Sequence, residues 1–463
     1  MTSTASAAPV ASTPIGPASL ATGSLATGSR ATGSLAAVCP PAAPRIASVF
    51  AAMGAPANSA ATTAVARAAM ASGMQIWKAT MVEGTRYLSR LPSRGFPPLT
   101  VLVDTARWMQ LINDRKPPTW SSPNTVVFAT SIARLRDFTD GAEDDVVATL
   151  FLPPQAGHDS CIVDYSPEQS QVRTAKAAGL TRVFSMDWVG ATPEHRDATI
   201  EDYIDVIDRA VDHLGGRANL VGDCQGGWLA TIYAALRPDR VHTLTIAGAP
   251  IDFAAGSPPI GDWVGALGGG DLGFYKDLVA KAGGVLPGKH MLAGFIAMKP
   301  ESEIEKNLQL LTHLDDAEHV ARYQEFEDWF KHVQDIAGPF YLWIIEHLFR
   351  DNKLIKGTLM IGGERVDMQR ITCPVNLLGG ATDHITPPSQ VFAAADHVGT
   401  DPAEITKATT SGGHLGLFMG NEALRHFWPT ILTDVAHRSR QGEPGVAAAR
   451  AVTAPHDTLI PVP

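Results

Sequence analysis

Apolar runs of strand length alternate with helix-like segments through the middle of the chain. The runs Thr125–Ala129, 146–152, 182–186 and Val241–Ala247 are strand-like, with many β-branched and aromatic residues. Between two of them, residues 200–214 repeat apolar side chains at the spacing of a single helix face. This alternation of strands and helices predicts an α/β protein with a mostly parallel sheet.

The alternation is interrupted between residues 252 and 370. This interval holds 13 of the chain's 32 aromatic residues, and it follows a predicted strand directly. We interpret it as a helical cap inserted between strands, and we expect several of its aromatic side chains to line an apolar substrate path. The sheet resumes with 375–379 and a strand near Ile405, and an amphipathic helix follows from 421 to about 437.

A helix-like pattern also covers residues 58–91, ahead of the predicted sheet. Large apolar residues recur on one of its faces, and basic residues occupy its other positions. Two arrangements fit this pattern: a helix packed on its own domain, or an amphipathic helix that lies on an apolar surface or a partner. The apolar face consists of Met70, Met74, Trp77, Met81 and Leu88.

The two ends of the chain have compositions that disfavour a packed core. Ala, Ser, Thr, Gly and Pro dominate residues 1–44, where Ala-Thr-Gly-Ser occurs three times, and we expect a disordered tail there. A docking role for that tail is the functional alternative. The predicted organisation is a tail at 1–44, a helical extension at 45–98, core at 99–251, an aromatic-rich cap at 252–370, core at 371–441 and a loose tail at 442–463.

Composition and charge narrow the class of protein. A net charge of −10 and a pI near 5.8 give no electrostatic reason to expect nucleic acid as a partner. No apolar run approaches the ~18 residues of a membrane span, and the N-terminus lacks the pattern of a secretory signal. Four widely spaced cysteines form no CxxC pair, which fits a reducing compartment. We expect a cytoplasmic protein without a transmembrane segment.

A tight glycine turn links the strand-like run 218–221 to the helix-like run 228–236. Residues 222–227 read Gly-Asp-Cys-Gln-Gly-Gly. A strand, a sharp turn, a nucleophile and a helix form a nucleophile elbow, in which the nucleophile projects from the sheet. Cys224 occupies the nucleophile position, and the alternative is an inert buried thiol.

Asp383 and His414 are the candidates for activating this thiol. A thiol nucleophile requires a base to take its proton and a carboxylate to orient that base. The two residues follow Cys224 in the order acid then histidine, each in a loop after a predicted strand. The alternatives are that Asp383 caps the helix after Pro387 and that the adjacent His384 is the base.

Two backbone N–H groups are expected to stabilise the oxyanion. The first belongs to Gln225, the residue after the nucleophile. The second is expected near Gln155 or Ala156, in the loop that also carries His158. No spacing of His, Cys or carboxylates suggests a metal, and no glycine-rich nucleotide motif is present. We therefore expect no cofactor.

Cysteine in place of serine changes the acyl intermediate from an ester to a thioester. Exchange between an enzyme thioester and an acyl-coenzyme A thioester is close to balanced in free energy. The nucleophile therefore suits the transfer of acyl groups between thioesters and alcohols, or their slow hydrolysis by water.

Several of these segments resemble one known superfamily. Residues 222–227, followed by 233–238, are similar to the elbow of polyhydroxyalkanoate synthases, and Asp187-Trp188 is shared with both synthases and intracellular polyhydroxyalkanoate depolymerases. Residues 293–300 and 413–420 are more similar to the depolymerases. The resemblance, over about 146–435, implies an α/β-hydrolase fold. It also implies that Cys224, Asp383 and His414 are nucleophile, orienting acid and base.

The resemblance implies a cysteine acyl hydrolase or transferase that acts on 3-hydroxyalkanoate polyesters. An intracellular depolymerase is the first hypothesis, and a synthase that uses 3-hydroxyacyl-coenzyme A is the alternative. A non-catalytic granule-coating protein and a small-molecule thioesterase are further hypotheses. The expected partner is a polyester granule or an acyl-coenzyme A substrate, at the granule surface in the cytoplasm, and the chain could form a homo-oligomer.

Overall fold

The computed structural model describes residues 59–95, 97–141, 146–256, 264 and 271–440. Both predicted tails lie outside these residues. Eight strands form the main sheet. They are β1 Thr125–Ala129, β2 Ala133–Asp137, β3 Ala148–Leu152, β4 Val183–Trp188, β5 Ala218–Asp223, β6 Val241–Ala247, β7 Val375–Gly380 and β8 Ile405–Thr410.

The strands are ordered β1-β2-β4-β3-β5-β6-β7-β8 across the sheet. Strand β2 pairs antiparallel with both β1 and β4, whereas every pair from β4 to β8 is parallel. This order, with one antiparallel strand near the edge, is that of the α/β-hydrolase fold. The predicted fold class is therefore confirmed.

Helices cover both faces of the sheet and build the inserted cap. Five of them lie before or between the first six strands: α1 Ser59–Arg90, α2 Pro97–Asn113, α3 Gln171–Ala177, α4 Ile200–His213 and α5 Gln225–Leu236. In the described residues between β6 and β7, the helices with given bounds are α6 Gly273–Lys281, α7 Gly288–Met298, α8 Pro300–Thr312, α9 Ala317–Phe330 and α10 Gly338–Trp343. The last three are α11 Pro388–Phe392, α12 His414–Met419 and α13 Trp428–Arg440. No helix in the described part of the chain combines the length and the mean hydropathy that crossing a membrane requires.

Shorter elements complete these regions. Two-residue strands pair Val285–Leu286 with Ile336–Ala337 and Met360–Ile361 with Glu364–Arg365 in the cap interval, and Asp164–Ser166 pairs with Gln169–Ser170 after β3. Single turns of 3-10 helix lie at Leu91–Ser93, Ser160–Val163, Pro238–Arg240, Met368–Arg370, Ala393–Asp396 and Pro402–Glu404, and π-helical turns lie at Ile344–Arg350 and Ala423–Phe427.

The central strands are buried on both faces, which explains their continuous apolar runs. All five residues of β3 are buried. Leu150 and Leu152 pack in the cluster that contains α4 and α5, whereas Phe151 packs in the cluster that contains α3 and α13. Helix α5 is buried along its entire length, so the turn before it is held from both sides.

The N-terminal helices differ from the expectation in two ways. Helix α2 begins at Pro97 and continues to Asn113, so the helical extension crosses the predicted boundary at residue 98 and the sheet begins only at Thr125. Helix α1 packs on cap helix α8 through one face, where Arg90 donates to the Thr312 carbonyl at 2.9 Å. The predicted apolar face is not the packed one, because Trp77 and Met81 are exposed. The predicted face therefore does not pack on the domain.

A buried carboxylate joins the cap to the segment that leads into the sheet. Glu327, on α9, is fully buried and contacts three cations. Lys331 lies 2.7 Å away, Arg115 lies 3.5 Å away, and Lys306 of α8 is also a partner. These contacts fix α8, α9 and the start of the α2–β1 connection relative to one another.

Replacing this carboxylate is expected to loosen the cap. Because removal of a buried ion-pair partner leaves charge uncompensated, we expect E327A to lower the free energy of unfolding by about 3 kcal/mol or more. The matched control is E318A on the same helix, which removes an exposed pair with Arg322 and is expected to have no measurable effect. Denaturant titration measures both, and equal effects would contradict this account.

Candidate active site

Cys224 occupies the turn between β5 and α5 in a strained backbone conformation. Its φ is 49° and its ψ is −117°, a region that non-glycine residues rarely adopt. The Cys224 N–H donates to the Ala247 carbonyl at 2.8 Å, and the Cys224 carbonyl accepts from the Gly227 N–H at 2.9 Å. The turn is therefore fixed by the next strand and by the first turn of the helix.

Two flanking glycines permit the close approach that this turn requires. A Cβ on Gly222 would lie 2.5 Å from the Gly226 carbonyl oxygen, and a Cβ on Gly226 would lie 1.8 Å from the Leu152 carbonyl oxygen. Since neither distance can accommodate a carbon atom, glycine is the residue that fits at both positions. The elbow is consequently packed directly against the end of β3.

The structure brings Asp383 and His414 together. Nδ1 of His414 and Oδ2 of Asp383 are 2.7 Å apart, and both side chains are buried. The other oxygen of Asp383 accepts the N–H groups of Ile385 and Thr386, each at 2.9 Å. This carboxylate therefore has a fixed orientation, and it engages Nδ1 so that Nε2 is left for Cys224.

Opposing effects act on the pKa of His414. Burial lowers it, but the negative charges of Cys224 and Asp383, and hydrogen bonds to both, outweigh burial and raise the pKa to about 10. The imidazolium is therefore favoured at neutral pH. A protonated His414 stabilises negative charge on a neighbouring sulfur, which is the charge arrangement that nucleophilic attack by a cysteine requires.

The alternatives left open by the sequence do not match this geometry. Helix α11 begins after Pro387 without a side-chain cap, so Asp383 does not cap it. His384 is partly buried, and burial, followed by the charge of Lys299, lowers its pKa. His414 is the histidine that bonds Asp383.

The loop after β3 lies beside the elbow. Leu152, the last residue of β3, pairs with Gly222 in the parallel register of β3 and β5. Gln155 and Ala156 therefore leave the sheet next to the turn that carries Cys224. Gln155 is buried, and its side-chain carbonyl has no hydrogen-bond partner among the described residues. The N–H of Gln225 begins α5 and has no acceptor within that helix. The two predicted oxyanion donors are thus in neighbouring segments.

Trp188 holds this loop, a role that sequence reasoning did not assign to it. Its indole N–H donates to the Pro153 carbonyl at 2.8 Å, and its backbone N–H donates to the Ser160 hydroxyl at 2.9 Å. The neighbouring Asp187 is buried and pairs with Arg136 at 2.7 Å. The sequence indicated the Asp187-Trp188 pair as a motif. Its role in holding the loop is evident only from contacts with residues far away in the chain.

Cap aromatics pack on the same loop through His158. Its ring stacks on Trp329 at 5.1 Å and on Phe330 at 5.4 Å between centroids, with Phe295 at 5.6 Å. Burial lowers the pKa of His158 to about 4, so this ring is neutral. His158 therefore connects the loop to the cap as a packing residue.

A second buried carboxyl, Asp223, directly precedes the nucleophile. Its Oδ2 accepts from the Gln171 side-chain amide at 2.6 Å, and the same amide contacts the Phe418 carbonyl of α12 at 3.2 Å. Oδ1 has no hydrogen-bond partner among the described residues, and burial raises the pKa of Asp223 to about 8. A neutral carboxyl thus links β5 to the helix that begins with His414.

The described residues contain one group whose atoms are close enough to share a metal ion. It consists of Glu346, His347 and Asp351, in the cap interval. Each already has an internal partner, because Arg350 pairs with both carboxylates and Lys353 contacts the His347 ring. The group lies outside the constellation around Cys224 and supplies no chemistry to it.

The stability of the chain should report the proton on Asp223. Between the ordinary pKa of an aspartate and about 8, the folded chain keeps this proton and the unfolded chain has lost it. Stability therefore falls as pH rises across that window, and it falls by up to about 1.4 kcal/mol per pH unit. In D223N the side chain is neutral at every pH, so we expect its stability relative to the parent to increase from pH 5 to pH 7. The exposed D197N is the control, and a D223N curve parallel to the parent's would refute the assignment.

The charge state of His414 should depend on Cys224. C224A removes the negative charge that most raises the pKa of His414, so we expect its NMR titration to move to lower pH. C161A is the matched control, because burial raises the pKa of that thiol and keeps it neutral. An unchanged His414 titration in C224A would mean that no ion pair exists.

Comparisons with known proteins identify relatives of this chain. A family model described as "Protein of unknown function (DUF3141)" matches residues 131–429. The chain is similar to the "Poly(3-hydroxyalkanoate) polymerase subunit PhaC" of Haloferax mediterranei, with 28% identity over 69% of this chain and 65% of that protein. The subunit of the same name from Allochromatium vinosum is 28% identical over 69% of this chain and 90% of its own length. The one from Synechocystis is 30% identical over 58% and 72%.

The match to the Haloferax subunit spans slightly less than two thirds of that protein's length. Among solved structures, a monoacylglycerol lipase of Paleococcus ferrophilus is 18% identical over 63% of this chain and 97% of its own, with a TM-score of 0.39. The family model covers well over half of the chain, and the Synechocystis relative is 30% identical with 72% of its own length covered. The chain belongs to the DUF3141 family and, with its relatives, to a polyhydroxyalkanoate synthase-like superfamily of α/β-hydrolases.

Proposed function

We propose that the chain is an acyltransferase that builds polyhydroxyalkanoate from 3-hydroxyacyl-coenzyme A. The observation that carries the proposal is a cysteine on the elbow beside a histidine that is bonded to a buried aspartate. The names of the relatives favour polymerisation, which was the alternative hypothesis from the sequence, over the depolymerase hypothesis. The substrate is then an acyl-coenzyme A, and the product is a polyester.

The first step transfers the acyl group to the enzyme. The Cys224 thiolate attacks the thioester carbonyl carbon, and the N–H of Gln225 and an N–H near Gln155 stabilise the oxyanion. The bond between the carbonyl carbon and the coenzyme A sulfur then breaks. His414 gives its proton to the departing thiolate, and Cys224 carries the acyl group as a thioester.

The second step forms the ester bond of the polymer. The hydroxyl of another 3-hydroxyacyl group attacks the carbonyl carbon on Cys224, and neutral His414 takes the hydroxyl proton. The carbon–sulfur bond breaks, which regenerates the Cys224 thiolate beside the imidazolium. This step is favourable because a thioester is a more energetic acyl donor than an oxygen ester. Transfer from an oxygen ester would be nearly balanced in free energy.

The cap supplies an environment that favours transfer over hydrolysis. Cap residues Phe295, Trp329 and Phe330 surround His158 on the loop proposed to hold the second oxyanion donor. An apolar roof of this kind limits the access of water to the acyl-enzyme.

Incubation with 3-hydroxybutyryl-coenzyme A should give free thiol, growing oligomers and an acyl group on Cys224 by mass spectrometry. C224A should form no acyl-enzyme. D383N should lower the rate by about 100-fold or more, because His414 loses its orienting partner. H384Q is the matched control beside it and should stay within a few-fold of the parent.

The products separate the related functions. Soluble 3-hydroxy acids without oligomers would favour a thioesterase, and their release from amorphous polyester would favour the depolymerase hypothesis. Absence of any acyl group on Cys224 under turnover conditions would overturn the proposed function entirely.

A further inference from the structure

Helices α1 and α2 carry a concentration of exposed apolar side chains. Of the ten large apolar side chains that are exposed among the described residues, nine lie on these two helices and one, Met360, lies elsewhere. Each of the nine is at least 42% exposed. The nine residues, here called the N-terminal apolar face, are Met74, Trp77, Met81, Val82, Leu88, Leu99, Leu102, Val103 and Met109.

Both helices pack on the cap through the sides opposite the N-terminal apolar face. Tyr87 and Leu91 of the α1 segment are buried, and the Trp108 indole N–H of α2 donates to the Asn307 carbonyl of α8 at 2.7 Å. The helices are thus anchored to the cap without using the N-terminal apolar face. Clustered exposure of this extent marks an interaction surface, whereas single exposed apolar residues are ordinary.

The charges on these helices have one sign at the surface. The acidic residues of α1 and α2 are Glu83 and Asp104, and both are buried and paired with arginines. Lys78, Arg86 and Arg107 are exposed. The chain as a whole has a net charge of −10, so the cationic surface of these two helices is a local departure from the overall charge.

We propose that the N-terminal apolar face docks on an anionic phospholipid surface. Apolar side chains that enter the interface and basic residues that contact anionic head groups are the two contributions to binding of an interfacial helix. A bare polyester surface would give no reason for the exclusion of exposed acidic groups. In a two-fold dimer the same exposed cations of both copies would face one another, so this face is poorly suited to a second copy. Docking is independent of the chemistry at Cys224, which lies in the core.

Vesicle flotation of the full chain tests the proposal. We expect binding to vesicles of phosphatidylcholine and phosphatidylglycerol in equal parts, weaker binding to pure phosphatidylcholine, and loss of the difference at high salt. The double variant W77E/L102E should lower binding by about tenfold or more. M360E is the matched control, because it places the same charge at the exposed methionine outside this face.

The charge requirement is tested separately. K78E/R107E should lower binding to the anionic vesicles by about tenfold and leave binding to neutral vesicles unchanged. K407E is its control, at an exposed lysine of β8. Thermal unfolding and acylation of Cys224, measured on each variant, distinguish a lost surface from a lost fold and from a failure of the proposed function.

Other occupants of this face give distinct outcomes. Equal binding to neutral and anionic vesicles, or no binding to either, would overturn the proposal. A dimer that W77E/L102E converts to a monomer, without vesicle binding by the parent, would assign the face to a second copy. Binding to amorphous polyester particles but not to anionic vesicles would assign it to the polymer.

Discussion

The strained turn at Cys224 is the constraint on which the rest of the site depends. A φ of 49° at a residue with a side chain is unfavourable by itself. It persists because Gly222 and Gly226 let β5, α5 and the end of β3 approach without a Cβ between them. The same approach places the sulfur beside His414 and brings the loop after β3 next to the elbow. One close-packed contact therefore positions the nucleophile and the segment expected to hold its oxyanion.

That loop also couples the chemistry to the cap. The Trp188 indole bonds the Pro153 carbonyl at one end of the loop. At the other end, cap aromatic rings enclose His158. The neighbouring residues bond the cap as well, because the Gly157 carbonyl accepts from Gln334 and the Asp159 carbonyl accepts from the Trp329 indole. Movement of α9 would thus shift the loop beside Cys224. The buried ion pairs of Glu327 keep that helix in place, so cap stability and oxyanion geometry are physically linked.

Local pattern was sufficient for the elements whose sequence agrees with their environment. The bounds of Thr125–Ala129 and Val241–Ala247 were predicted as the structure has them. Chain order, the loops after predicted strands and the family resemblance together indicated that Asp383 and His414 would meet. Strand β2 was missed because Arg134, Arg136 and Asp137 make it look like a loop. Its two arginines are accommodated by Asp187 on the neighbouring strand, a partner about 50 residues away that no local pattern reveals.

Asp223 and Gln171 near the site were also not indicated by local sequence pattern, because their roles depend on contacts between distant segments. The sequence assigned no role to Asp223, which is a buried carboxyl bonded to Gln171, whose amide also contacts the Phe418 carbonyl of α12. If Asp223 were ionised, its negative charge would lie near His414. It would then stabilise the imidazolium in addition to Cys224 and Asp383. Because burial favours the neutral carboxyl, Asp223 adds no charge beside His414, and Asp383 is the acid that bonds the ring. The arrangement separates orientation of the base, by Asp383, from support of its helix, by the Asp223–Gln171 pair.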